Sequence, residues 1–406
     1  MYYVGIDIAK HDHTVAARME DGTPHGKAIS FTNDDAGFKL LLERFRELDI
    51  DDENCIVAME STGHYWMATY SFLSDHGYPV AVINPVLTDA FRKADTIRKT
   101  KTDLIDAFLI AEFARFKRLG PTSMTPEVSD SLKQLTRYRM HLVKERTMLK
   151  NKATAVTDRL FPELAHAVGG MQSATAKALM RDYATPAAIA TTDVRTLTKT
   201  IRVASRGRFG RTEAEDLKAL AKKSVGVELA ANALAFELKH MVNLVEHLGK
   251  EIAVLDAEIA RILKGTPGEL LQTIPGIGPV NAAVITAELG APENFDDPKK
   301  LIAFAGIDAS KSQSGKFEGD QEHMSKRGSG YLRYALMNAA DTARMHDPYF
   351  GDYYDSMRAR GKHHYVALSG VARKLAGVIL AVMKEQRPYE PRPSVQSQKD
   401  NAIAQS

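Results

Sequence analysis

Up to residue 121 the chain alternates short apolar runs with amphipathic stretches. Apolar runs bounded by turn residues predict β-strands, and apolar positions spaced three or four apart predict helices. The predicted strands are residues 2–8, 14–18, 56–60 and 79–83. The predicted helices are residues 38–48 and 65–76, with residues 11–13 as the turn between the first two strands. This alternation indicates an α/β layer fold, whose active site lies beyond the carboxyl ends of its strands.

The middle of the chain has a helical pattern. Residues 131–160 contain no Pro or Gly and predict one long helix that ends near Pro162. A second stretch, residues 212–263, has apolar positions spaced for helix–helix packing. We interpret the two stretches as the arms of a helical, partly coiled-coil domain, with the basic loop 205–211 between them.

The first of these arms, residues 131–160, carries eight basic residues against two acidic ones. Clustered Lys and Arg give sequence-independent, salt-dependent affinity for a nucleic-acid backbone, so this arm is a candidate nucleic-acid contact. A solvated helix face is the alternative interpretation. The residues predicted to make the contact are Arg137, Arg139, Lys144 and Lys150.

A third section begins near residue 265. Residues 274–280 read IPGIGPV, a tight Gly/Pro turn between predicted helices that resembles a helix-hairpin-helix. The amides of such a turn, here at Gly276 and Gly278, can bind a backbone phosphate, although a tight turn can also simply join two packed helices. Further helices are predicted around residues 331–344 and 365–384, and the polar end from residue 387 is predicted to be disordered.

Length and composition restrict the class of protein. A chain of 406 residues is longer than one typical domain, so two or three domains are expected. The formal net charge is only +3, so nucleic-acid binding has to rest on local basic clusters. The single cysteine, Cys55, excludes disulfide frameworks and cysteine-rich zinc sites. Without a signal-like leader or an apolar run of membrane-spanning length, we expect a cytoplasmic protein with no membrane contact.

Four carboxylates are candidates for a divalent-metal site: Asp7, Glu60, Asp103 and Asp106. Asp7 interrupts an apolar strand, where a charge is costly unless it is paired or binds a metal. Glu60 ends a second predicted strand, and Asp103 and Asp106 share a helix face at a spacing of three. Phosphodiester chemistry with two metal ions needs such hard oxygen ligands. The alternatives are that Asp103 only favours a helix N-terminus after a Thr102 cap and that Glu60 is an ordinary loop acid.

A stretch rich in Ser, Gly and Lys, residues 308–330, concentrates hydroxyls and cations. A serine that attacks phosphate needs an exposed hydroxyl, nearby positive charge and a backbone that allows close approach. Composition alone favours the alternative, a solvated Ser/Gly loop that leads into a basic helix start. The hydroxyls and cations of interest are Ser312, Ser314, Lys316, Lys326, Arg327 and Arg333.

Together and in this order, the motifs resemble those of the DEDD-type insertion-sequence transposases that act with a structured bridge RNA. The N-terminal motifs are GIDIAK at residues 5–10, MESTG at 59–63 and KTDLIDA at 101–107. The C-terminal motifs are IPGIGP at 274–279, FAGID at 304–308, QSGK at 313–316, SKRG at 325–328 and YLR at 331–333. Each motif is weak alone, but the ordered series is specific and spans nearly the whole chain.

The resemblance implies a domain organisation. Residues 1–125 become an α/β nuclease domain of the RNase H-like, RuvC-like fold, and residues 126–265 an α-helical coiled-coil domain. Residues 266–388 become a mainly α transposase domain with the helix-hairpin-helix-like turn and a catalytic serine. Residues 389–406 are left as a disordered tail.

The resemblance also implies roles for individual residues. The implied Mg²⁺ ligands, with Mn²⁺ as a possible substitute, are Asp7, Glu60, Asp103 and Asp106. Ser314, directly before Gly315, becomes the nucleophile that forms a covalent phosphoserine link to cleaved DNA, with Ser312 as second choice. The candidates for neutralising the DNA backbone are Lys316, Lys326, Arg327 and Arg333.

The prediction is therefore an RNA-guided DNA recombinase of an insertion sequence. Its implied partners are double-stranded donor and target DNA, a structured guide RNA and further copies of itself in a homodimer or homotetramer. A RuvC-like junction nuclease that uses water would explain the acids but leaves Ser314 without a role. An actin- or sugar-kinase-like phosphotransferase would need a second Gly-rich phosphate loop, which the N-terminal section lacks. A non-catalytic nucleic-acid-binding protein gives no reason for Asp7.

Overall fold

A computed structural model of the chain describes residues 1–95, 102–122, 127–308, 313–314, 317–318 and 324–392. The side chains of residues 95, 313, 314, 317 and 318 are outside that description. The chain divides into two compact units, residues 1–124 and residues 125–406, and each is described by itself.

The first unit is built on a mixed five-stranded sheet in the order β3-β2-β1-β4-β5. The strands are β1 Tyr2–Asp7, β2 Asp12–Met19, β3 Ile29–Thr32, β4 Cys55–Glu60 and β5 Val80–Ile83. The first three strands pair antiparallel, while β4 is parallel to β1 and β5 is parallel to β4. The predicted α/β fold is confirmed, and the structure shows that its sheet is mixed.

Helices cover both faces of this sheet. They are α1 Asp35–Glu47, α2 Trp66–Asp75, α3 Pro85–Asp95 and α4 Asp103–Lys117. Leu41 and Phe45 of α1 and Leu73 of α2 are fully buried in the core on one face. Ile110 and Phe113 of α4 are buried against the other face. Alternating strand residues therefore reach two separate cores, as their period of two requires.

Two details of the predicted strands were wrong. The predicted turn at residues 11–13 is shifted, because β2 already begins at Asp12 and His13 is completely buried within it. The strand β3, Ile29–Thr32, was not predicted. It has only four residues with one buried side chain, Phe31, so its sequence carries almost no alternation signal.

The second unit is mostly helical. Its helices are α5 Glu127–Leu160, α6 Leu164–Ala167, α7 Ala174–Asp182, α8 Pro186–Thr191, α9 Val194–Ala204, α10 Arg211–Lys222, α11 Ala231–Leu263, α12 Pro279–Leu289, α13 Pro298–Ala305, α14 Gly330–His346, α15 Pro348–Ala359 and α16 His364–Glu385. Two 3₁₀-helices, Pro267–Thr273 and Pro292–Asn294, and the strands β6 Gln313–Ser314 and β7 Phe317–Glu318 complete the described elements.

The long helices α5 and α11 pack against each other in opposite directions. Arg139 pairs with Asp256, and Lys152 pairs with Glu237. The residue numbers therefore increase along α5 where those of its partners on α11 decrease. This antiparallel pair matches the two predicted arms, while supercoiling of the pair as a coiled coil stays a prediction. The single helix predicted over residues 212–263 was wrong, because residues 223–230 separate α10 from α11.

Two hydrophobic cores form along these arms. One joins α5 and α11 to the shorter helices between them, with Leu160, Leu179, Ile189 and Leu197 fully buried. The other packs α12–α16 against the opposite ends of the arms, with Phe350 among its fully buried side chains. We call the ends of α5 and α11 that carry the first core, together with the helices α6–α10 between them, the helical insert. The helical insert and the C-terminal helices α12–α16 thus each have a core of their own.

Helix α16 changes one expectation from composition. By length and composition it could cross a membrane. This differs from the expectation that the chain has no apolar run of membrane-spanning length. Most of it is buried inside the second unit, as in a core helix of a soluble protein. Beyond it, Tyr389 of the predicted tail is also packed, because its hydroxyl donates to Asp347 Oδ2 at 2.8 Å. Residues 393–406 of that tail lie outside the described residues.

Gly5 permits the closest contact in the first unit. A Cβ atom at this position would lie 2.1 Å from the carbonyl oxygen of Ala107 and 2.4 Å from the amide nitrogen of Ala111. Both atoms belong to the backbone of α4, so no side-chain rotation can relieve the clash. The absence of a side chain at Gly5 therefore sets the distance between α4 and β1.

We predict that Gly5→Ala lowers the free energy of unfolding by about 3 kcal/mol, because α4 must move away from β1. Urea denaturation monitored by circular dichroism measures this loss. Gly120→Ala is the matched control, since a Cβ at Gly120 has no neighbour within 4 Å. An unchanged midpoint for Gly5→Ala would show that the helix is not held by this contact.

Candidate active site

Two of the predicted acids end neighbouring parallel strands. Ile6 of β1 is in register with Met59 of the parallel strand β4. The next residues, Asp7 and Glu60, therefore lie side by side at the carboxyl edge of the sheet. Both side chains are partly buried. Thr14 of β2 is in register with Asp7 on its other side. The structure thus places the two strand acids where an α/β fold places its active site.

The other two predicted acids lie in the first turn of α4. Thr102 caps this helix, with its Oγ1 accepting from the amide of Ile105 at 3.3 Å. Asp103 is exposed, whereas Asp106 is buried. The Gly5–Ala107 contact fixes this turn beside β1, two residues before Asp7. The helical acids therefore lie near the strand end that carries Asp7.

Glu60 and Asp106 each bind protein partners on neighbouring elements. Glu60 Oε1 accepts from Thr88 Oγ1 at 2.5 Å, and Glu60 Oε2 accepts from Thr62 Oγ1 at 3.2 Å. Asp106 forms an ion pair with Arg92, with 3.1 Å between Oδ1 and Nη2. Arg92 and Thr88 both lie on α3, which was not predicted. This helix supplies the residues that hold Glu60 and Asp106 in place.

The chemistry of the four acids suits a hard divalent cation, because all of their donors are carboxylate oxygens. Within the described ranges, however, no three His, Cys, Asp or Glu side chains are arranged as a group that could hold a metal ion. The backbone brings the acids to one edge of the sheet, and the side chains of Glu60 and Asp106 are turned to α3.

His13 supports the turn that follows Asp7. Its Nδ1 accepts from the amide of Ala9 at 3.2 Å, and its ring packs edge-on against Phe31. Burial lowers the pKa of this imidazole below its usual value, which favours the neutral form. The hydrophobic pattern predicted His13 as a turn residue, and only the pairing of β2 with β3 reveals its buried position.

The predicted nucleophile lies in the second unit. The backbone of Ser314 belongs to β6 and is in register with Phe317 of β7. Ser312 and Lys316 lie outside the described residues. The described chain before and after this hairpin shows how its two ends are held.

The segments before and after the serine-bearing stretch, residues 304–308 and 325–328, contact each other closely through their backbones. A Cβ at Gly306 would lie 2.1 Å from the carbonyl oxygen of Arg327, and one at Gly328 would lie 2.1 Å from that of Phe304. Ser325 donates to the Asp308 carboxylate, and the amide of Ser325 donates to the Asp308 carbonyl at 2.9 Å. The two ends of the serine-bearing stretch are therefore fixed at a common base.

Of the predicted phosphate-neutralising residues beside this base, Lys326 and Arg327 are exposed. Arg333 is half-buried, and its Nη1 donates to the carbonyl of Ala305 at 3.0 Å. Arg333 consequently stabilises the same base, whereas Lys326 and Arg327 are exposed to solvent and form no ion pair with a described carboxylate.

Glu288, which sequence reasoning missed, connects the long arm α5 to this base. Its carboxylate accepts from Arg137 Nε at 2.7 Å, from Arg137 Nη2 at 3.1 Å and from Ser329 Oγ at 2.6 Å. Only 2% of its side chain is exposed, so its charge is compensated by these protein partners rather than by water. Ser329 also caps α14. No sequence signal distinguishes Glu288 from a surface acid.

The basic arm is less uniform than its sequence suggests. Arg137 and Arg139, both predicted to contact nucleic acid, form ion pairs with Glu288 and Asp256. Their charges are therefore neutralised in the folded chain. Lys144 is exposed and Lys150 half-buried.

The Gly/Pro turn joins a 3₁₀-helix to α12 rather than two α-helices. Gly276 has a φ of +94°, and a Cβ there would lie 2.5 Å from the amide nitrogen of Ala343 in α14. Gly278 has open space around it and precedes the first turn of α12. Gly276 is thus required for packing, and of the two glycines Gly278 is the more accessible.

Comparison with known proteins covers both ends of the chain. A DEDD-type IS110 family model described as "Transposase" matches residues 4–162, and one described as "Transposase IS116/IS110/IS902 family" matches residues 268–355. An uncharacterized 44.8 kDa protein of insertion element IS116 from Streptomyces clavuligerus is 28% identical over 402 residues, 97% of each chain. The mini-circle putative transposase for IS117 from Streptomyces coelicolor is 24% identical, covering 96% of this chain and 97% of its own.

A pilin gene-inverting protein from Moraxella bovis is 22% identical over 402 residues, which cover 96% of this chain and 98% of its own. The two family models match in the order expected for one family, and the relatives align over nearly the whole length. The chain therefore belongs to the DEDD-type insertion-sequence transposases, a family of DNA transposases and recombinases.

Proposed function

We propose that this transposase cuts and rejoins DNA strands through a covalent serine intermediate, with Mg²⁺ held by four carboxylates and a guide RNA that selects the DNA. The observation that carries the proposal is the placement of Asp7 and Glu60 at one sheet edge, with the first turn of α4 fixed beside β1. The serine and the RNA rest on the motifs around Ser314 and on the family resemblance.

In this proposal Asp7, Glu60, Asp103 and Asp106 hold the metal, with Mn²⁺ as a possible substitute. When bound, the metal would polarise the scissile phosphate and stabilise the charge that develops on it. Thr88 and Thr62 orient Glu60, and Arg92 holds Asp106 as an anion. Because Arg92 is the existing counter-ion of Asp106, binding of a cation at Asp106 requires the side chain of Arg92 to withdraw.

The serine step conserves the energy of the broken bond. Ser314 Oγ forms a bond to phosphorus, its proton leaves to solvent, and the bond from phosphorus to the departing sugar oxygen breaks. That oxygen takes up a proton and becomes a hydroxyl. Attack by a hydroxyl of the new partner strand then re-forms a phosphodiester and returns the serine. Lys316, Lys326 and Arg327 are the proposed neutralising cations for the phosphate.

The proposed partners are donor and target duplexes and a structured RNA that selects them by base pairing, within a homodimer or homotetramer. The protein would then read backbone and shape rather than sequence. Arg137, Arg139 and Arg333 bind other protein groups, so we assign RNA and DNA contacts first to exposed cations such as Lys144. Sequencing of RNA that copurifies with the chain tests this part of the proposal. If no RNA copurifies, the proposed guide RNA is excluded.

The second candidate function is a RuvC-like junction endonuclease that uses water. It is supported by the same acids and requires neither Ser314 nor RNA. The two functions differ in whether cleaved DNA is ever attached to the protein.

We predict that Asp7→Asn, Glu60→Gln, Asp103→Asn and Asp106→Asn each reduce strand cleavage about a hundredfold or more while the protein stays folded. Cleavage of labelled donor DNA in Mg²⁺, together with a circular dichroism spectrum, measures both properties. Glu43→Gln is the control, because Glu43 is an exposed acid on α1 of the same unit. Wild-type cleavage by any one of the four variants would exclude that residue as a required ligand.

We predict that Ser314→Ala retains DNA binding but forms no protein–DNA adduct and no recombinant product. Removal of one hydroxyl oxygen abolishes the nucleophile, and the acids cannot replace it. Denaturing gels of end-labelled DNA detect the adduct as a protein-linked band in the wild type. Loss of that band in Ser312→Ala but not in Ser314→Ala would make Ser312 the nucleophile. A wild type that cleaves without ever giving the band would favour the hydrolytic nuclease.

A further inference from the structure

Three basic side chains of the helical insert come together without an acidic partner. Arg146 and Lys150 lie one turn apart on α5, and Lys177 of α7 is close enough to act on the charge of Lys150. In the described part of the second unit, three other cations of α5 are neutralised: Arg137 by Glu288, Arg139 by Asp256 and Lys152 by Glu237. No ion pair joins a described carboxylate to Arg146, Lys150 or Lys177.

These cations are partly withdrawn from water. The Nε atom of Arg146 is buried and has no hydrogen-bond partner among the described residues. Lys150 and Lys177 line a small cleft together with Thr154 and Gln172. Burial, and then the charges of Arg146 and Lys177, lower the pKa of Lys150 from its usual value. Like charges held together in this way oppose folding unless an anion joins them.

The cleft opens beside a larger groove that shares Lys177. This groove has a volume of about 590 Å³ between α7 and α9, and Lys199, Thr196 and Thr200 line it. Asp182 and Glu246 line the groove as well, and both of these carboxylates pair with Arg181, which is a further lining residue. Cations, hydroxyls and an amide therefore follow one another from the cleft into the groove. This is the arrangement of groups that a phosphodiester backbone requires.

We propose that Arg146, Lys150 and Lys177 form a binding site for the phosphodiester backbone of a nucleic acid, whose next phosphate runs toward Lys199. A guanidinium with an unpaired N–H can donate to a phosphate oxygen, and two ammonium groups supply the remaining charge. The site rests on the proposed function only in requiring that the chain binds a nucleic acid, and both RNA and DNA offer the same phosphate. Arg146 and Lys150 were both among the basic residues of the predicted arm, but only Lys150 was predicted to contact nucleic acid, and Lys177 lies on another helix.

The test is the double variant Lys150→Gln/Lys177→Gln in the full-length chain. Fluorescence anisotropy with a labelled RNA hairpin and, separately, a labelled DNA duplex is measured over a series of KCl concentrations. For whichever probe the wild type binds, we expect about tenfold weaker binding by the double variant. The slope of the logarithm of the binding constant against the logarithm of the KCl concentration should be smaller by about two, one for each lost phosphate contact. The control is Lys222→Gln/Lys239→Gln, which removes two exposed charges from α10 and α11.

Thermal unfolding of the same variants separates binding from packing. Removal of two mutually repelling charges should leave the Tm of the double variant equal to or above that of the wild type. An unchanged salt slope, an equal loss in the control, or a fall in Tm that accompanies the loss of binding would overturn the site. Loss confined to the RNA probe or to the DNA probe identifies the nucleic acid. If the wild type binds neither probe, both the site and the proposed function fail, whereas failure of the serine adduct alone leaves the site unaffected.

Discussion

The close contact between Gly5 and the backbone of α4 is the constraint on which the rest of the first unit depends. It lets a helix lie against the middle of β1 at a distance that no residue with a side chain allows. Because Asp103 and Asp106 occupy the first turn of that helix, the contact fixes them beside the strand that ends in Asp7. The parallel pairing of β1 with β4 adds Glu60. Backbone packing, rather than attraction among the acids, therefore assembles the candidate site.

In the second unit, too, glycines allow a close backbone contact, here at the two ends of the stretch that carries Ser314. Gly306 and Gly328 allow two chain segments to interlock at the base of the stretch that carries Ser314. The buried Glu288 joins this base to α5 by accepting hydrogen bonds from Ser329 and Arg137. Breaking such a compensated buried charge is costly, so the base and the arm are expected to move together. A change along α5 can in this way reach the serine-bearing stretch.

Sequence patterns predicted the fold class, the strand acids and the i, i+3 pair, because these depend on local periodicity. They missed the break between α10 and α11, where a Cβ at Gly226 would lie 1.9 Å from the carbonyl oxygen of Leu160, a contact between residues far apart in sequence. The same limitation explains Arg137 and Lys177. Composition counts both as positive, but only tertiary packing reveals that Arg137 has a buried partner and that Lys177 forms no ion pair with a described carboxylate.

We propose that acids from two strands and one helix form a single metal site. Titration of Mn²⁺ followed by electron paramagnetic resonance tests it directly, because free and bound Mn²⁺ give different signals and no DNA or RNA is needed. We predict saturable Mn²⁺ binding to the wild type that is weakened by Asp7→Asn, Glu60→Gln and Asp103→Asn alike. Wild-type affinity and stoichiometry in Asp7→Asn would contradict it, since a site without its strand acid is not the site described.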